Sequence, residues 1–522
     1  MSAVSPDAEQ RQLGPLTGRH VLVIGGGISG LAAALVLRLR GARVTVLEPD
    51  AVDNSVDPDT AFSTWGRGGA PQVRHSHVFL GRLRNLLRDH YPIVLEKLLS
   101  AGARELRGTH RPPLPLSGLA AEPGDEDLVA LGCRRVTFEW VLRRHVLDLG
   151  AVEVIGGAKV VALLAARTNA PAVAGVRYRA GDKETAVYAH IVVDASGRRS
   201  EAPAWLEQIG ARPVQEKSSS SGIIYYTRFY RMCSGAQEPP QSEHPTAGDF
   251  DWIKYAVFPA DGGTFSITLA APLVVQRLKI LSEAAAFDEM ARSIPGLAPW
   301  VDPAVSTPVE DAGRPVQAMS GLINRRRCFV DEHGPIALRF FVIGDAAYCT
   351  NPLYGRGCAQ GFLHAHLLAE ALDAHPSDLE SAARLFDTRS RAELEPYYRA
   401  SILADREAVR RAEGREPKRI EARWRDRFFR DGVALALQCD PVVYRAFLRM
   451  MNMIETPDQA FTRPEVLARC LWVLYHSDAY KRRVGYRQPP EREPIISRCE
   501  AAVVRKGRLQ PAETAALAPA TV

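Results

Sequence analysis

The sequence has no long apolar run. Its longest stretches, such as residues 31–37, are short, and a bilayer-spanning helix needs roughly 20 residues. Residues 1–20 are polar and have no apolar core, so no secretory signal is expected there. No CxxC pair occurs. The eight cysteines, Cys133, Cys233, Cys328, Cys349, Cys358, Cys439, Cys470 and Cys499, are scattered. That pattern argues against a zinc site and a disulfide framework and reads as reduced intracellular thiols. Dense basic runs interleaved with aromatics are also lacking. The formal charge of +6 is small for 522 residues and comes mainly from arginines after residue 400. The expectation is a cytoplasmic protein with no nucleic-acid partner and no stable membrane insertion.

Two pairs of histidines, His75/His77 and His364/His366, are spaced i, i+2. Neither has an obvious carboxylate or cysteine partner, so no metal is expected. No Ser–His–Asp order stands out either. What is present is an ordinary globular composition, 46% hydrophobic and 24% charged, on a chain long enough for two or three domains.

The strongest local signal lies near the start. A short apolar strand at 19–24 runs into Gly25-Gly26-Gly27-Ile28-Ser29-Gly30. A helix at 31–40 stops at Gly41, and a β-branched strand at 43–47 ends in Glu48. This is a βαβ unit carrying G-x-G-x-x-G, with an acidic residue closing the next strand. Gly25 permits the tight turn, Gly27 lets backbone approach a pyrophosphate, and Gly30 lets helix pack on strand. The helix N-terminus, including Ser29, offers free N–H groups to phosphates. Glu48 is expected to accept hydrogen bonds from a ribose diol.

A second signal lies three hundred residues on. Phe341-Val-Ile-Gly-Asp-Ala-Ala347 reads as a buried strand ending in Gly344-Asp345. It is followed by Asn351-Pro-Leu-Tyr-Gly-Arg-Gly357, a turn opening a helix. A carboxylate at the strand end suits the hydroxyls of a ribityl chain. The amides of the helix N-terminus suit the edge of a flavin ring that becomes negative on reduction.

Together these segments resemble the three flavin motifs of the FAD-dependent monooxygenases of the aromatic-hydroxylase type. They are closest to the flavin epoxidases of polyether ionophore pathways and related FAD-dependent oxidoreductases. Pro71-Gln-Val-Arg-His-Ser-His77 resembles that group's Pro-Gln-x-Arg-His-x-His segment. Arg135, Glu139 and Arg143 fall on its Arg-x-x-x-Asp-x-x-x-Arg pattern. Asp194-Ala-Ser-Gly197, with Trp205-Leu206, resembles its Asp-Ala-Thr-Gly stretch. The likeness covers residues 18 to about 375.

The resemblance implies a non-covalent FAD bound by Gly25, Gly27, Ser29, Gly30, Glu48, Arg74, Arg135, Asp194, Gly197, Gly344, Asp345 and Gly357. Pro352, Gly355, Arg356 and Gly357 would form the catalytic turn, with His75 in a structural role. It also implies transfer of one O₂-derived oxygen atom, through a flavin C4a-(hydro)peroxide, to a bulky apolar small molecule. A halogenase reading is disfavoured, because the Trp-x-Trp-x-Ile-Pro motif of that group is absent. The nicotinamide-serving segment of the hydroxylases is here replaced by Glu201-Ala-Pro203. Slow reduction by NAD(P)H and help from a partner flavin reductase are therefore expected. The alternatives are a flavin dehydrogenase or reductase of a prenyl or alkyl chain, or a non-catalytic lipid- or prenyl-binding protein.

The expected fold is α/β. A glutathione-reductase-like FAD-binding Rossmann domain would be assembled from 15–215, with a loop at 111–127, and a return segment at 330–395. A β-rich substrate domain would occupy 216–329, a helical C-terminal region 396–500, and a disordered tail 501–522. Helices are expected at 78–99 and 136–149, and strands at 152–154, 160–164, 173–178 and 186–193. The apolar stretch 432–454 reads first as helical core and second as a wall over a bulky substrate.

Overall fold

The structure is a computed structural model that describes residues 14–168, 170–309, 314–484, 490–505 and 507. Most of the predicted disordered tail lies outside these residues.

The chain opens with β1 (His20–Ile24), α1 (Ile28–Arg38) and β2 (Arg43–Glu48). All five residues of β1 are buried, as suits a parallel strand covered on both faces. β1 pairs in parallel with β2 and with the strand Ile191–Asp194, placing Val21 opposite Ile191. The strand Phe340–Val342 then adds to Ile191–Asp194, and Val152–Gly156 adds to β2. The five-stranded sheet thus draws its strands from widely separated parts of the sequence. Its carboxyl edge collects Gly25, Asp194 and Gly344, where open α/β sheets bind their ligands.

A second sheet is antiparallel, in the order Ala247–Asp249, Lys254–Pro259, Thr264–Pro272, Ile223–Met232 and Ser306–Pro308. Period-2 alternation divides its faces. Tyr226, Tyr230, Phe265, Ile267 and Leu269 point into a core shared with the helix Ala284–Ser293. Tyr225, Thr227, Thr268 and Ala270 point the other way, into a cavity. The helix Arg492–Arg505 joins the same core through Ile495, Ile496, Cys499 and Val503.

Some elements differ from the sequence reading. The helix expected at 78–99 is two, Gly81–His90 and Pro92–Ser100. Pro92 has no N–H and disfavours helical geometry at Tyr91, so the chain restarts there. The strand expected at 186–193 is also two. Lys183–Tyr188 pairs antiparallel in a separate three-stranded sheet, whereas Ile191–Asp194 enters the parallel sheet. Among the described residues no helix is long and apolar enough to cross a membrane.

Candidate functional site

Between the sheets lies a cavity of about 2380 Å³. Small-molecule sites run to roughly 300–1,000 Å³, so this one has room for a dinucleotide and a second molecule. It starts at the Gly25–Ser29 turn and passes Asp345 and the Pro352–Gly357 turn. It then reaches the Tyr225/Thr227 face of the second sheet and ends against Tyr444, Phe447 and Met451. The stretch expected at 432–454 therefore serves both readings. Val443 and Ala446 pack in a core, while Phe447 and Met451 form cavity wall.

The three fingerprint glycines have different reasons to be glycine. Gly25 has φ +97, and a Cβ there would sit 2.7 Å from the Ala195 carbonyl oxygen. A Cβ on Gly30 would lie 1.8 Å from the Gly25 oxygen. Both are fixed by the turn itself. At Gly27 a Cβ would meet only Arg135 Nη2, at 3.6 Å. Gly27 is instead the N-cap of α1 without a side-chain cap, so the first-turn amides are left to a ligand. Ser29 lines the cavity and ties α1 to the return segment. A Cβ on Gly344 (φ +61) would lie 2.6 Å from its hydroxyl.

Arg135 opens the helix Arg135–Asp148, lines the cavity and reaches the Cys358 sulfur at 3.5 Å. Its Nε is buried with no partner among the described residues. Glu139, one turn on, pairs with Arg67 at 2.9 Å, Arg135 at 3.5 Å and Arg143 at 3.6 Å. Burial pushes the Glu139 carboxyl up, but these three cations outweigh it and hold it below the usual range. Arg143 donates to the Gly26 carbonyl at 2.7 Å. The Arg-x-x-x-Glu-x-x-x-Arg spacing thus builds the rear wall of the glycine turn.

Three residues expected to bind the cofactor, and one expected in the catalytic turn, are turned elsewhere. Glu48 is not among the cavity-lining residues. Its Oε2 accepts from Gly26 N at 2.7 Å, and its Oε1 accepts from Asp50 N at 3.0 Å and pairs with Arg67 at 2.9 Å. With both oxygens engaged, it braces strand end against turn, and Asp50 and Arg67 line the cavity in its place. Asp194 is fully buried. Its oxygens accept from Ser196 N at 2.9 Å, the Ser196 hydroxyl at 2.5 Å and the Ser200 hydroxyl at 2.6 Å. It shapes the loop that presents Gly197, which does line the cavity. Arg74 donates to the Ser63 carbonyl at 3.0 Å and is not a lining residue. Arg356 points back into the helix Leu379–Ala412. It donates to the Tyr397 carbonyl and the Ser401 hydroxyl and sits over the rings of Tyr354 and Tyr397. A guanidinium that deep needs those acceptors and ring faces, and Arg356 itself is not a lining residue.

Asp345 lines the cavity, 3.8 Å from where a Gly357 Cβ would be. Burial pushes its carboxyl up, opposed by Arg198, Arg135 and Arg325. Gly344 is held behind it by its N–H to His364 Nδ1 at 3.1 Å. Pro352, Gly355 and Gly357 all line the cavity, and Gly355 turns the chain at φ +65 into the helix Arg356–Ala374. The Cys349 thiol is pushed by burial to about 12, and that of Cys358 is also raised. Both cysteines are free thiols; an unionised thiol is a poor nucleophile.

One carboxylate was not legible in the sequence. Asp405 accepts from Asn324 Nδ2 at 2.7 Å and Asn351 Nδ2 at 2.6 Å, with the Tyr354 hydroxyl at 3.4 Å. The Tyr225 hydroxyl donates to Asn351 Oδ1. Burial pushes Asp405 up to about 6. It stands 54 residues from Asn351 in a run of ordinary helix, so no motif marks it.

A family profile described as FAD dependent oxidoreductase matches residues 20–56. Protein Rv3254 of Mycobacterium tuberculosis (strain ATCC 25618 / H37Rv) is 28% identical over 381 residues, covering 69% of this chain and 74% of its own. Among solved structures, the flavin-dependent brominase Bmp2 superposes with a TM-score of 0.57 at 16% identity, over 89% of this chain and 100% of its own. The chondrochloren halogenase CndH gives 0.56 at 19% identity, over 85% and 96%. The anhydrotetracycline hydroxylase OxyS from Streptomyces rimosus gives 0.54 at 18% identity, over 84% and 76%.

Proposed function

We propose that the chain, which has the fold of the flavin-dependent halogenases and hydroxylases and a segment matching an FAD dependent oxidoreductase profile, is an FAD-dependent monooxygenase of bulky apolar small molecules. The observation that carries this reading is the continuity of one cavity, from the phosphate-cradling turn at Gly27 to the apolar wall of Phe447 and Met451. A dehydrogenase acting on an alkyl chain would use the same cavity. The motif resemblance to epoxidases favours oxygen transfer. The absence of a halogenase motif disfavours halide oxidation, although halogenases share the fold.

The residues fit FAD. Gly27 leaves space where a pyrophosphate must approach, and the uncapped first turn of α1 supplies amides for it. Arg135, whose Nε has no partner among the described residues, stands beside that space. Asp345 suits the ribityl hydroxyls, and the Pro352–Gly357 turn suits the ring. When bound, FAD supplies the electron transfer and the activation of O₂. This chain's residues hold the pieces in place and keep water out. The second-sheet face and the Tyr444–Met451 wall shield the reacting region and aim an apolar substrate at it.

Electrons would come from NAD(P)H or from a partner flavin reductase, and the apolar substrate and O₂ would be consumed together. The test is reduction of the FAD-loaded protein under anaerobic conditions, followed by ¹⁸O₂, with an unconjugated polyene and a phenol as probes. The reading expects one ¹⁸O atom in a product. Hydride transfer to or from a probe with no oxygen incorporated would establish the dehydrogenase instead.

A further inference from the structure

We propose that His75 is a specificity-determining residue whose bare Nε2 accepts a hydrogen bond from a hydroxyl group on the substrate. This rests on the reading that an apolar small molecule occupies the cavity, and it narrows that molecule to one bearing an O–H near the reacting region.

The argument comes from counting hydrogens. His75, Ser76, Thr227 and Thr268 line the cavity and form a chain linking the 71–77 segment to the second sheet. The Thr268 hydroxyl donates to Ser76 Oγ at 2.7 Å, and the Ser76 hydroxyl donates to Ser266 Oγ at 2.7 Å. A hydroxyl has one hydrogen to give. Thr268 has spent its own, so in its 3.0 Å contact with Thr227 it must accept. Thr227 has then spent its hydrogen too. Its 3.0 Å contact with His75 Nδ1 is therefore one in which Nδ1–H donates. A neutral imidazole carries one N–H, so Nε2 is left as an acceptor. Burial pushes the ring's pKa down to about 4, which keeps it neutral near pH 7. Nε2 has no protein partner among the described residues, although His75 as a whole is only 8% exposed.

The position also suits a substrate contact. Val78, three residues on, abuts Gly355, where a Cβ would come within 3.3 Å of its side chain. Two residues before Thr227 on the same strand, Tyr225 reaches Asn351. The acceptor therefore sits where the second sheet meets the turn that would face the flavin ring. In a largely apolar enclosure an unmet acceptor is costly. A site built to receive an O–H strongly rejects the analogue that lacks it. His75 thus selects for a phenol, enol or alcohol and sets its distance from the turn.

Two measurements on FAD-loaded protein test this. ¹⁵N shifts of labelled histidine, assigned with His75→Gln, should show the Nδ1–H tautomer of His75 at pH 7. Equilibrium dialysis should show 2-naphthol binding at least about tenfold tighter than 2-methoxynaphthalene, the scale of one hydrogen bond. His75→Phe and Thr227→Val should both erase most of that preference, the second by freeing the tautomer, with FAD content unchanged. An Nε2–H tautomer, an imidazolium, or a preference that survives both substitutions would overturn the assignment. Binding of both probes without discrimination would overturn the role of His75 alone. Failure of both probes to bind would overturn the apolar-cavity reading with it. Neither measurement depends on oxygen transfer.

Discussion

Asp405 and Asn351 are joined by a 2.6 Å hydrogen bond from Asn351 Nδ2 to Asp405 Oδ1, and this bond anchors the turn that opens the helix Arg356–Ala374. Asn351 also caps the turn by accepting from Leu353 N at 3.1 Å. The long helix Leu379–Ala412, far from the cofactor motifs in sequence, thereby holds Pro352 and Gly355 in register.

The Asp405 linkage has a pH consequence. Its carboxyl is raised from an ordinary value near 3.8 to about 6. A carboxyl raised in the folded state stabilises the fold below the unfolded pKa, and that contribution is lost as pH rises through the folded one. The shift corresponds to about 3 kcal/mol. Between pH 4 and pH 7, the stability of the wild type relative to Asp405→Asn should therefore fall by about that amount. Urea denaturation of both proteins at several pH values checks this; a constant difference would place Asp405 at an ordinary pKa.

Gly27→Val and Gly30→Val should fail in different ways. A side chain at Gly27 projects into open cavity, so the variant should fold yet lose FAD affinity by at least about a hundredfold, the worth of one or two charge-assisted hydrogen bonds. A side chain at Gly30 collides with the Gly25 backbone and should cost more than about 3 kcal/mol of stability, beyond ordinary overpacking. Far-UV circular dichroism with released-flavin quantitation separates the two. Normal FAD occupancy in Gly27→Val would mean the pyrophosphate lies elsewhere.

Asp345→Ala and Arg356→Met should divide along the same line. Asp345 borders the cavity, so its loss should weaken FAD binding by roughly ten- to a hundredfold, on the order of 1.5–3 kcal/mol. Arg356 is directed into the helix Leu379–Ala412. Its replacement should lower stability by about 1–3 kcal/mol and leave flavin affinity within about twofold. A large affinity loss in Arg356→Met, read by fluorescence titration, would restore that residue to the flavin site.

Anaerobic NADPH should reduce the bound FAD more slowly than turnover with an added flavin reductase requires. The Ser200–Pro203 stretch runs into a short helix, Ala202–Gln208, with Pro203 in its first turn, and Arg198 and Arg199 beside it line the cavity. Stopped-flow bleaching at or above the turnover rate, without a reductase, would identify a self-sufficient enzyme.

The sequence by itself determined the first βαβ unit, because Gly25 and Gly30 answer local requirements of backbone geometry that only glycine meets, and Gly27 keeps the start of the helix open. It likewise marked Asp345 and the Gly355–Gly357 turn, where strand, carboxylate and helix start are contiguous. The β-rich texture of 216–329 was also legible, and the antiparallel sheet draws its strands from that stretch. Only the tertiary structure decided which polar groups face the cavity. Glu48 and Asp194 occupy motif positions, yet their oxygens are consumed by neighbouring amides and hydroxyls. Arg67, Asp405 and Thr227 sit outside every motif but are brought to the site by packing. A side chain's neighbours across hundreds of residues set where its hydrogen bonds go, and spacing along the chain carries no record of them.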